Sequence, residues 1–373
     1  MQYLKNYFFV FCFLLMFINN CIADERAALS DLKSQLLILE KKIEALEKAQ
    51  VKKDKIHKLK KLNNSPAKTA ESVKLYATLR PTFGYINESN ENNWDVKDAL
   101  SHAGIKAVSK FNGSWSAELQ GEWGIDLSNN GDFGKARQVY VALNSPIGRI
   151  GIGKQRPTQY LFIAEYVDIF NHGNSPFSYD PESIFFVDNL LTYQLKVQNL
   201  TWMAVAQFNG DKGDNNSDLF NLGVSYDYAG LHGAVTYLNE DTNQADIKEG
   251  ENEIYAASLA YSFENLYLAA SYQDKTYKLM NNQFEREGHT FDLSAAYQIL
   301  SNYKVKLGYF DFSDGYQLSK SQDHSGYNAT FEWLPTNALR FHLEYLYRDY
   351  DFTDNFSSWS IGFRYDLTRK WSY

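Results

Sequence analysis

The sequence contains almost no cysteine, and its longest apolar run is short. Of the 373 residues only two are cysteines, Cys12 and Cys21, and both lie within residues 1–23. The run from Tyr7 to Ile18 is shorter than the roughly 20 residues that a membrane-spanning helix needs. A mean hydropathy of −0.45 also argues against a helical membrane protein. The remainder of the chain therefore has no material for a disulfide framework, a thiol nucleophile or a thiolate metal site.

Residues 1–23 have the features of an export signal. Lys5 supplies the positive charge, the apolar run follows, and Cys21 and Ala23 place small residues at the −3 and −1 positions of a cleavage site. A lipoprotein acylated at Cys21 is the alternative, although Asn20 fits poorly before such a cysteine. Cleavage after Ala23 would leave a mature chain of 350 residues without cysteine.

Residues 24–72 contain no aromatic residue and no glycine, whereas residues 73–373 hold 52 of the 59 aromatic residues and every glycine. Large aliphatic residues recur there in steps of three and four, the spacing of a coiled-coil seam. These positions are Leu29, Leu32, Leu36, Leu39, Ile43 and Leu46. Because three heptads are too short for a stable isolated helix, we predict an oligomerising coiled-coil stem over 24–62 and a linker over 63–72. The alternative is one amphipathic helix docked on its own domain.

From Val73 onward the apolar period changes to two, the period of a β-strand. In the last segment Trp359, Ile361 and Phe363 share one face with the aromatic residues that follow. The alternation predicts sixteen strands near 73–86, 99–111, 114–126, 136–144, 147–155, 185–196, 199–209, 218–228, 231–239, 252–263, 266–275, 288–300, 303–312, 324–334, 338–350 and 357–373. Short turns and long polar loops alternate between them, as at the two rims of an outer-membrane barrel.

We therefore predict an all-β transmembrane barrel of about 16 antiparallel strands over 73–373. Closure pairs every backbone group, as hydrocarbon surroundings require. A barrel of this size has a lumen too wide for side chains to fill, so a water-filled channel is expected. Its polar lumen residues account for the negative hydropathy. Both termini fall on the short-turn side, which places the stem in the periplasm.

Four motifs, taken in order, resemble those of the general bacterial porins, the trimeric sixteen-stranded diffusion channels of the Gram-negative outer membrane. They are Val73-Lys-Leu-Tyr76, Ser101-His-Ala-Gly104-Ile-Lys106, Arg137-Gln-Val-Tyr140-Val-Ala-Leu143 and Gly148-Arg-Ile-Gly-Ile-Gly153-Lys154-Gln155. The stem is similar to that of the subset of porins with an N-terminal periplasmic coiled coil. The resemblance implies a homotrimer in contact with outer-membrane lipid and lipopolysaccharide that passes small hydrophilic solutes or ions. It implies no cofactor and no nucleic-acid partner.

In that family the loop after strand five folds into the barrel and sets acids against basic residues of the wall. The matching loop here, 156–184, is the longest, and its length alone suggests a functional role. The resemblance implies loop acids at Glu165, Asp168, Asp180 and Glu182. It implies a basic wall of His102, Lys106, Arg137 and Lys154, and the alternation of strand one adds Arg80 on the predicted lumen face.

Two features argue against a strong preference for anions. The family usually has an arginine in the strand after the loop, but the segment from Val187 to Gln194 contains none. Residues 73–373 carry 24 basic and 37 acidic groups, a surplus that favours cations unless the local constriction overrides it.

The main alternative function is structural: an adhesin, or a tether from the outer membrane to the cell wall through the stem. An enzyme is not expected. The segment 148–155 nearly matches a phosphate-binding loop, but it lacks the final Ser or Thr and the helix that should follow. The seven histidines have no metal-ligand spacing, and no motif points to a Ser/His barrel hydrolase.

Overall fold

The computed structural model describes one unit of the chain, a β-sheet that closes on itself. The described residues are 70–88, 91–128, 133–175, 177, 184–209, 218–244, 247–279, 285–316 and 321–372. The predicted signal (1–23), the predicted stem (24–62), the linker up to residue 69, and the loop acids Asp180 and Glu182 lie outside them.

The sheet consists of eighteen strand segments. In chain order they are β1 (Ala70–Leu79), β2 (Pro81–Glu88), β3 (Glu91–Asp98), β4 (His102–Asn112), β5 (Trp115–Ile125), β6 (Phe133–Ser145), β7 (Gly148–Gln155), β8 (Val187–Val197), β9 (Leu200–Gln207), β10 (Leu219–Tyr228), β11 (Leu231–Gln244), β12 (Ile247–Phe263), β13 (Leu266–Leu279), β14 (Glu285–Leu300), β15 (Tyr303–Ser313), β16 (His324–Trp333), β17 (Leu339–Tyr350) and β18 (Phe356–Ser372). The loop after β7 carries a short helix, α1 (Thr158–Phe162), and a 3-10 turn (Ala164–Tyr166). Over the described part of the chain, no helix has the length and apolar character to cross a membrane.

The eighteen segments form sixteen antiparallel strands of a closed barrel. β1 and β2 are one strand interrupted at Arg80, and β3 and β4 are one strand interrupted at residues 99–101. β1 pairs with β4 and β18, while β2 pairs with β3 and β18. At the interruption the Arg80 amide donates to the Ser101 hydroxyl over 2.7 Å, and the Ala99 amide donates to the Arg80 carbonyl over 2.9 Å. Because β18 returns to pair with β1 and β2, no edge is left, which confirms the predicted fold class.

The strands extend further toward the long loops than the apolar alternation predicts. The predicted loop 87–98 contains β3, and the predicted strands 231–239 and 252–263 lengthen into Leu231–Gln244 and Ile247–Phe263. Backbone pairing needs no apolar side chains, so the ladder continues after the apolar pattern has ended. The alternation therefore marks the apolar band more closely than the ends of the strands.

The two faces of the barrel wall differ as the alternation predicts. Trp359 and Ile361 of β18 are exposed, while Ser358 and Ser360 between them are buried. The same contrast holds on β6, where Val141 is exposed and Ala142 is buried. An apolar outer face of this extent would be unfavourable in water, so its natural surroundings are lipid hydrocarbon.

Candidate functional site in the barrel lumen

The loop after β7 folds inward and packs on the inner face of the barrel. Its apolar side chains make three clusters with wall residues that alternate with the exposed outer ones. Phe162 and Ile163 pack with Leu190, Met203, Val205, Leu219 and Leu238, Val167 packs with Ala260 and Ala269, and Phe170 and Phe177 pack with Phe310, Leu346 and Phe356. The loop thus covers the inner wall over much of β8–β18.

Wall side chains hold the backbone of this loop at successive points. The Phe162 carbonyl accepts from His232 Nε2 over 2.9 Å and from Ser258 Oγ over 2.6 Å; the Val167 carbonyl accepts from Ser294 Oγ over 2.8 Å; and the Ile169 carbonyl accepts from Lys306 Nζ over 2.5 Å. These donors lie on β11, β12, β14 and β15 in the order in which the loop passes them. The loop therefore follows the wall around its inner circumference.

A buried polar cluster fixes the far end of the described loop. Asn171 Nδ2 donates to Glu332 over 2.7 Å, and the backbone amides of Asn171 and His172 donate to Glu344 over 3.1 and 2.9 Å. Glu332 also forms a 2.5 Å ion pair with Lys306. Each carboxylate in the cluster thus has a loop donor, so the acids of this wall serve to anchor the loop.

His172 is anchored as a neutral imidazole. Its Nε2 lies 2.9 Å from the Ser358 hydroxyl, and its Nδ1 accepts from the Asn174 amide over 3.0 Å. Burial lowers the pKa of His172 to about 3, and the positive charges of Arg348 and Lys97 act in the same direction. The imidazole therefore accepts at one nitrogen and faces a hydroxyl at the other, without charge.

The first half of the loop presents acids and an arginine to the lumen. Asp168 accepts from the Tyr160 hydroxyl over 3.2 Å, and the Arg156 guanidinium lies 3.8 Å from the centre of the Tyr160 ring. The Glu165 side chain is exposed to the lumen. Enclosure by the barrel raises the pKa of Glu165, the nearby Asp168 adds to the rise, and Arg156 opposes it. Loop acids and a loop base therefore face the same space.

Arg137 reaches this space from the wall because of a β-bulge. In simple alternation it would share the outward face with Val139, but the register between β5 and β6 shifts between Glu122 and Trp123, leaving Arg137 as the extra residue. Its Nε donates to Glu122 over 2.8 Å. Its guanidinium lies 4.8 Å from the Phe186 ring centre, and that of Arg156 lies 4.7 Å from the same ring. Phe186 thus links the basic wall to the loop.

Arg80 faces the loop from the interruption between β1 and β2. It lines, together with Asp168, His172 and Arg348, a cavity of about 180 Å³ between loop and wall. Arg80, a predicted wall residue, and Asp168, a predicted loop acid, thus border one cavity together with Arg348 of β17.

Two further basic residues of the wall, Lys106 and Arg149, are paired with one acid. Lys106 Nζ lies 2.9 Å and Arg149 Nη2 lies 3.4 Å from the same Glu118 carboxylate. His102 makes no such pair among the described contacts; its Nδ1 lies 2.8 Å from the Leu100 carbonyl. The wall of β4–β7 is thus a row of alternating charges.

Comparison with known proteins assigns this arrangement to a family. A family profile described as Gram-negative porin matches residues 64–373. The chain belongs to the Gram-negative porin family. This porin is 24% identical over 212 residues to the outer membrane porin protein OmpD of Salmonella typhimurium, covering 50% of this chain and 58% of OmpD. It therefore spans little more than half the length of the first curated relatives that it matches.

Solved structures share the fold of this porin at low sequence identity. An anion-selective porin from Comamonas acidovorans superimposes with a TM-score of 0.65 at 14% identity, covering 80% of this chain and 100% of that chain. The trimer form of OmpT from Vibrio cholerae, folded in vitro, gives 0.64 at 18% identity, with 80% and 99% covered. The family match and the OmpD relatives place the protein in the outer membrane of a Gram-negative bacterium.

One predicted wall residue of this porin lies apart from the others. Lys154 forms a 2.7 Å ion pair with the exposed Asp188 and stands opposite the outward-facing Val139 in the β6–β7 register. Lys154 continues the outward alternation of Ile150 and Ile152 along β7, and the extra residue at the β7–β8 register shift lies on β8. The structure therefore does not bring Lys154 to the loop acids.

Several charged residues of the lumen were not singled out from the sequence: Glu118, Glu122, Arg149, Arg156, Lys306, Glu332 and Glu344. The sequence pattern could have indicated Glu118 and Glu122, because Glu118, Gln120 and Glu122 alternate with apolar or small residues along β5. Among the residues that the structure describes, no group of three or more His, Cys, Asp or Glu side chains could hold a metal ion.

Proposed function

We propose that this porin forms a water-filled channel through which small hydrophilic solutes diffuse passively across the outer membrane. The observation that carries the proposal is the loop of 156–184, whose described residues lie inside the barrel: Asp168 borders one cavity with Arg80 of the wall, and Arg156 lies with Arg137 of the wall at Phe186. A solute entering the lumen would have to fit between loop and wall. Its charge would be sorted by the field between the two sets of groups.

The wall argues for weak ion selectivity. The relative from Comamonas acidovorans is an anion-selective porin, but here Lys106, Arg137 and Arg149 each contact a glutamate. A paired cation attracts an anion less than a lone one, because the field of the pair falls off faster with distance. We infer a channel sorted mainly by size.

Planar bilayers test the proposal directly. Purified protein should give stepwise conductance, and liposomes that contain it should swell in sugars, amino acids and dicarboxylates up to a size limit. Membranes without conductance steps from a folded, heat-modifiable protein would contradict the channel function.

We also propose that the functional form is a homotrimer. The outer surface of β1 and β4–β7 has a groove of about 740 Å³. Its apolar lining consists of small and aliphatic side chains: Val73, Ala107, Ala117, Leu119, Val141, Leu143, Ile150 and Ile152. An apolar groove lined by small and aliphatic side chains can receive side chains of another barrel, and OmpT of Vibrio cholerae has a trimer form. The remaining outer surface would contact lipid and lipopolysaccharide.

The predicted stem would add a second contact between the three chains through Leu29, Leu32, Leu36, Leu39, Ile43 and Leu46. A trimer that resists detergent until heated is expected. A strictly monomeric species would remove the roles given to both the groove and the stem.

A further inference from the structure

Two glutamates on β5 lie in the part of the lumen wall that the described part of the loop does not cover. Glu118 pairs with two basic side chains of the wall and Glu122 with one. We propose that Glu118 and Glu122 are selectivity-determining residues, which cancel most of the positive charge of the wall and keep the channel from preferring anions. The inference rests on the proposed channel function and concerns the same site.

Glu122 is built into the wall from both sides. One carboxylate oxygen accepts from Arg137 Nε over 2.8 Å, and the other accepts from the Tyr76 hydroxyl over 2.8 Å. Only 6% of the Glu122 side chain is exposed, against 12% for Arg137. Two directed contacts at one carboxylate fix both its position and its charge.

The contact with Tyr76 requires a glycine on the strand between. Tyr76 lies on β1 and Glu122 on β5, so the tyrosine ring crosses β4 at Gly104, which pairs with both residues. A Cβ on Gly104 would lie 2.5 Å from the Tyr76 ring and 2.7 Å from the Gly121 carbonyl oxygen. The absence of a side chain at 104 therefore leaves the path by which Tyr76 reaches Glu122.

Glu118 serves two cations at once. Its Oε1 lies 2.9 Å from Lys106 Nζ and 3.4 Å from Arg149 Nη2, and the Tyr140 hydroxyl lies 2.7 Å from the same oxygen. The side chain is 11% exposed, so the carboxylate lies in the wall rather than in the open lumen. Lys106 lies on β4, the neighbour of β5 on one side. Arg149 lies on β7, which is on the other side of β5 and beyond β6.

The count of charges gives the size of the effect. Three cations, Lys106, Arg137 and Arg149, face two carboxylates, which leaves one positive charge in excess. A unit charge about 7 Å from a passing ion changes the local ion concentration by roughly a factor of three in water, and less as salt screens it. Removal of both acids should therefore raise the chloride-to-potassium permeability ratio severalfold.

The test is a reversal-potential measurement in planar bilayers under a tenfold KCl gradient. Glu118→Gln and Glu122→Gln should each raise the chloride-to-potassium ratio by about two- to threefold, and the double variant by more. Glutamine keeps the shape; at position 122 its one carbonyl oxygen can accept from Arg137, while its amide group can donate to the Tyr76 hydroxyl oxygen. The matched control is Glu253→Gln. Glu253 also pairs with a lysine, Lys278, but it lies on the outward face of β12 with Tyr255. The permeability ratio of this variant should therefore equal that of the wild type.

The outcomes separate this inference from the channel function. Conducting variants with an unchanged ratio would overturn the role of the two glutamates, while a folded wild-type protein without conductance would contradict the channel itself. Should the glutamine variants fail to fold, Lys106→Gln and Arg149→Gln provide the reciprocal test. Each must then shift the ratio toward potassium, and the lack of a shift would count against the proposal.

Discussion

The two halves of the barrel wall use the same residue types for different purposes. On the half covered by the loop, Lys306 and Glu332 have side-chain exposures of 5% and 0%, and both bind loop atoms. On the open half, Lys106 pairs with Glu118 at an exposure of 36% and borders the lumen. Burial under the loop decides the difference, because a buried charge must be fully paired, whereas a lumen charge also acts on passing ions.

Apolar packing on the covered wall explains how the loop can stay inside a water-filled barrel. Apolar packing around Phe162, Val167 and Phe170 removes the covered wall from water, and in that dry space each polar contact of the loop backbone gains strength. The open wall lacks such a cover among the described residues, so its ion pairs remain partly solvated and contribute less to stability.

Breaking the Lys306–Glu332 pair should give the largest effect. Lys306→Met removes the nearer cation of the buried Glu332, leaving only Arg340 at 3.9 Å, and removes the donor to the Ile169 carbonyl, so we expect a loss of about 3–5 kcal/mol in the free energy of unfolding. Denaturant titration of the detergent-solubilised barrel measures it. The loosened loop should also make single-channel conductance larger or less regular.

Lys278→Met is the matched control for that experiment. Lys278 pairs with Glu253, but its side chain is 45% exposed, so little change in stability is expected. The double variant Lys306→Met/Glu332→Gln should recover part of the loss, since Glu332 then no longer holds a buried charge without its lysine partner. Equal stability of the Lys306 and Lys278 variants would contradict the contrast between covered and exposed charges.

Much of the barrel follows from the sequence, because a strand with lipid on one side and water on the other must alternate. The predicted strand 303–312 is β15, Tyr303–Ser313, and the predicted strand 357–373 is β18, Phe356–Ser372. The interruption at Arg80 was not predicted. It depends on backbone contacts to Ala99 and Ser101 of the neighbouring strand, which no local pattern reveals.

The candidate site was less accessible to sequence reasoning, because side-chain direction depends on bulges and register. Strict alternation places Arg137 outward, and only the bulge opposite Glu122 turns it inward. Lys154 is the opposite case: it continues the outward alternation of Ile150 and Ile152, so the alternation itself separates it from the lumen group. Glu118 and Glu122 were within reach of the alternation, but their pairing with cations of other strands required the three-dimensional register.

Acid should weaken the covered half more than the open half. His172 has a pKa of about 3 in the folded protein and about 6.5 when unfolded, so the unfolded chain binds the extra proton as the pH falls through that window. The associated stability is fully present above pH 6.5 and is lost by about 1.4 kcal/mol per pH unit below it.

His172→Asn tests this pH dependence. Between pH 7 and pH 5 the variant should lose about 2 kcal/mol less of its unfolding free energy than the wild type, measured by denaturant titration at each pH. His102→Asn on the open wall is the control. Its unfolding free energy should change with pH nearly as steeply as that of the wild type. Identical slopes for the wild type and the His172 variant would show that His172 does not anchor the loop as a neutral group.

Arg137→Glu should act mainly on ion preference; because it leaves Glu122 beside a second carboxylate it should also lower stability, though less than Lys306→Met, since this wall is more solvated than the covered one. The substitution alters the wall by two charges beside Glu122, so the potassium-to-chloride permeability ratio should rise by roughly tenfold at low salt and less at high salt. Lys278→Glu makes the same change of charge at an exposed pair and should leave the ratio unchanged. If both variants shifted the permeability ratio equally, selectivity would depend on the overall charge of the barrel. The charges of the open wall would then act on passing ions no more strongly than charges elsewhere on the barrel.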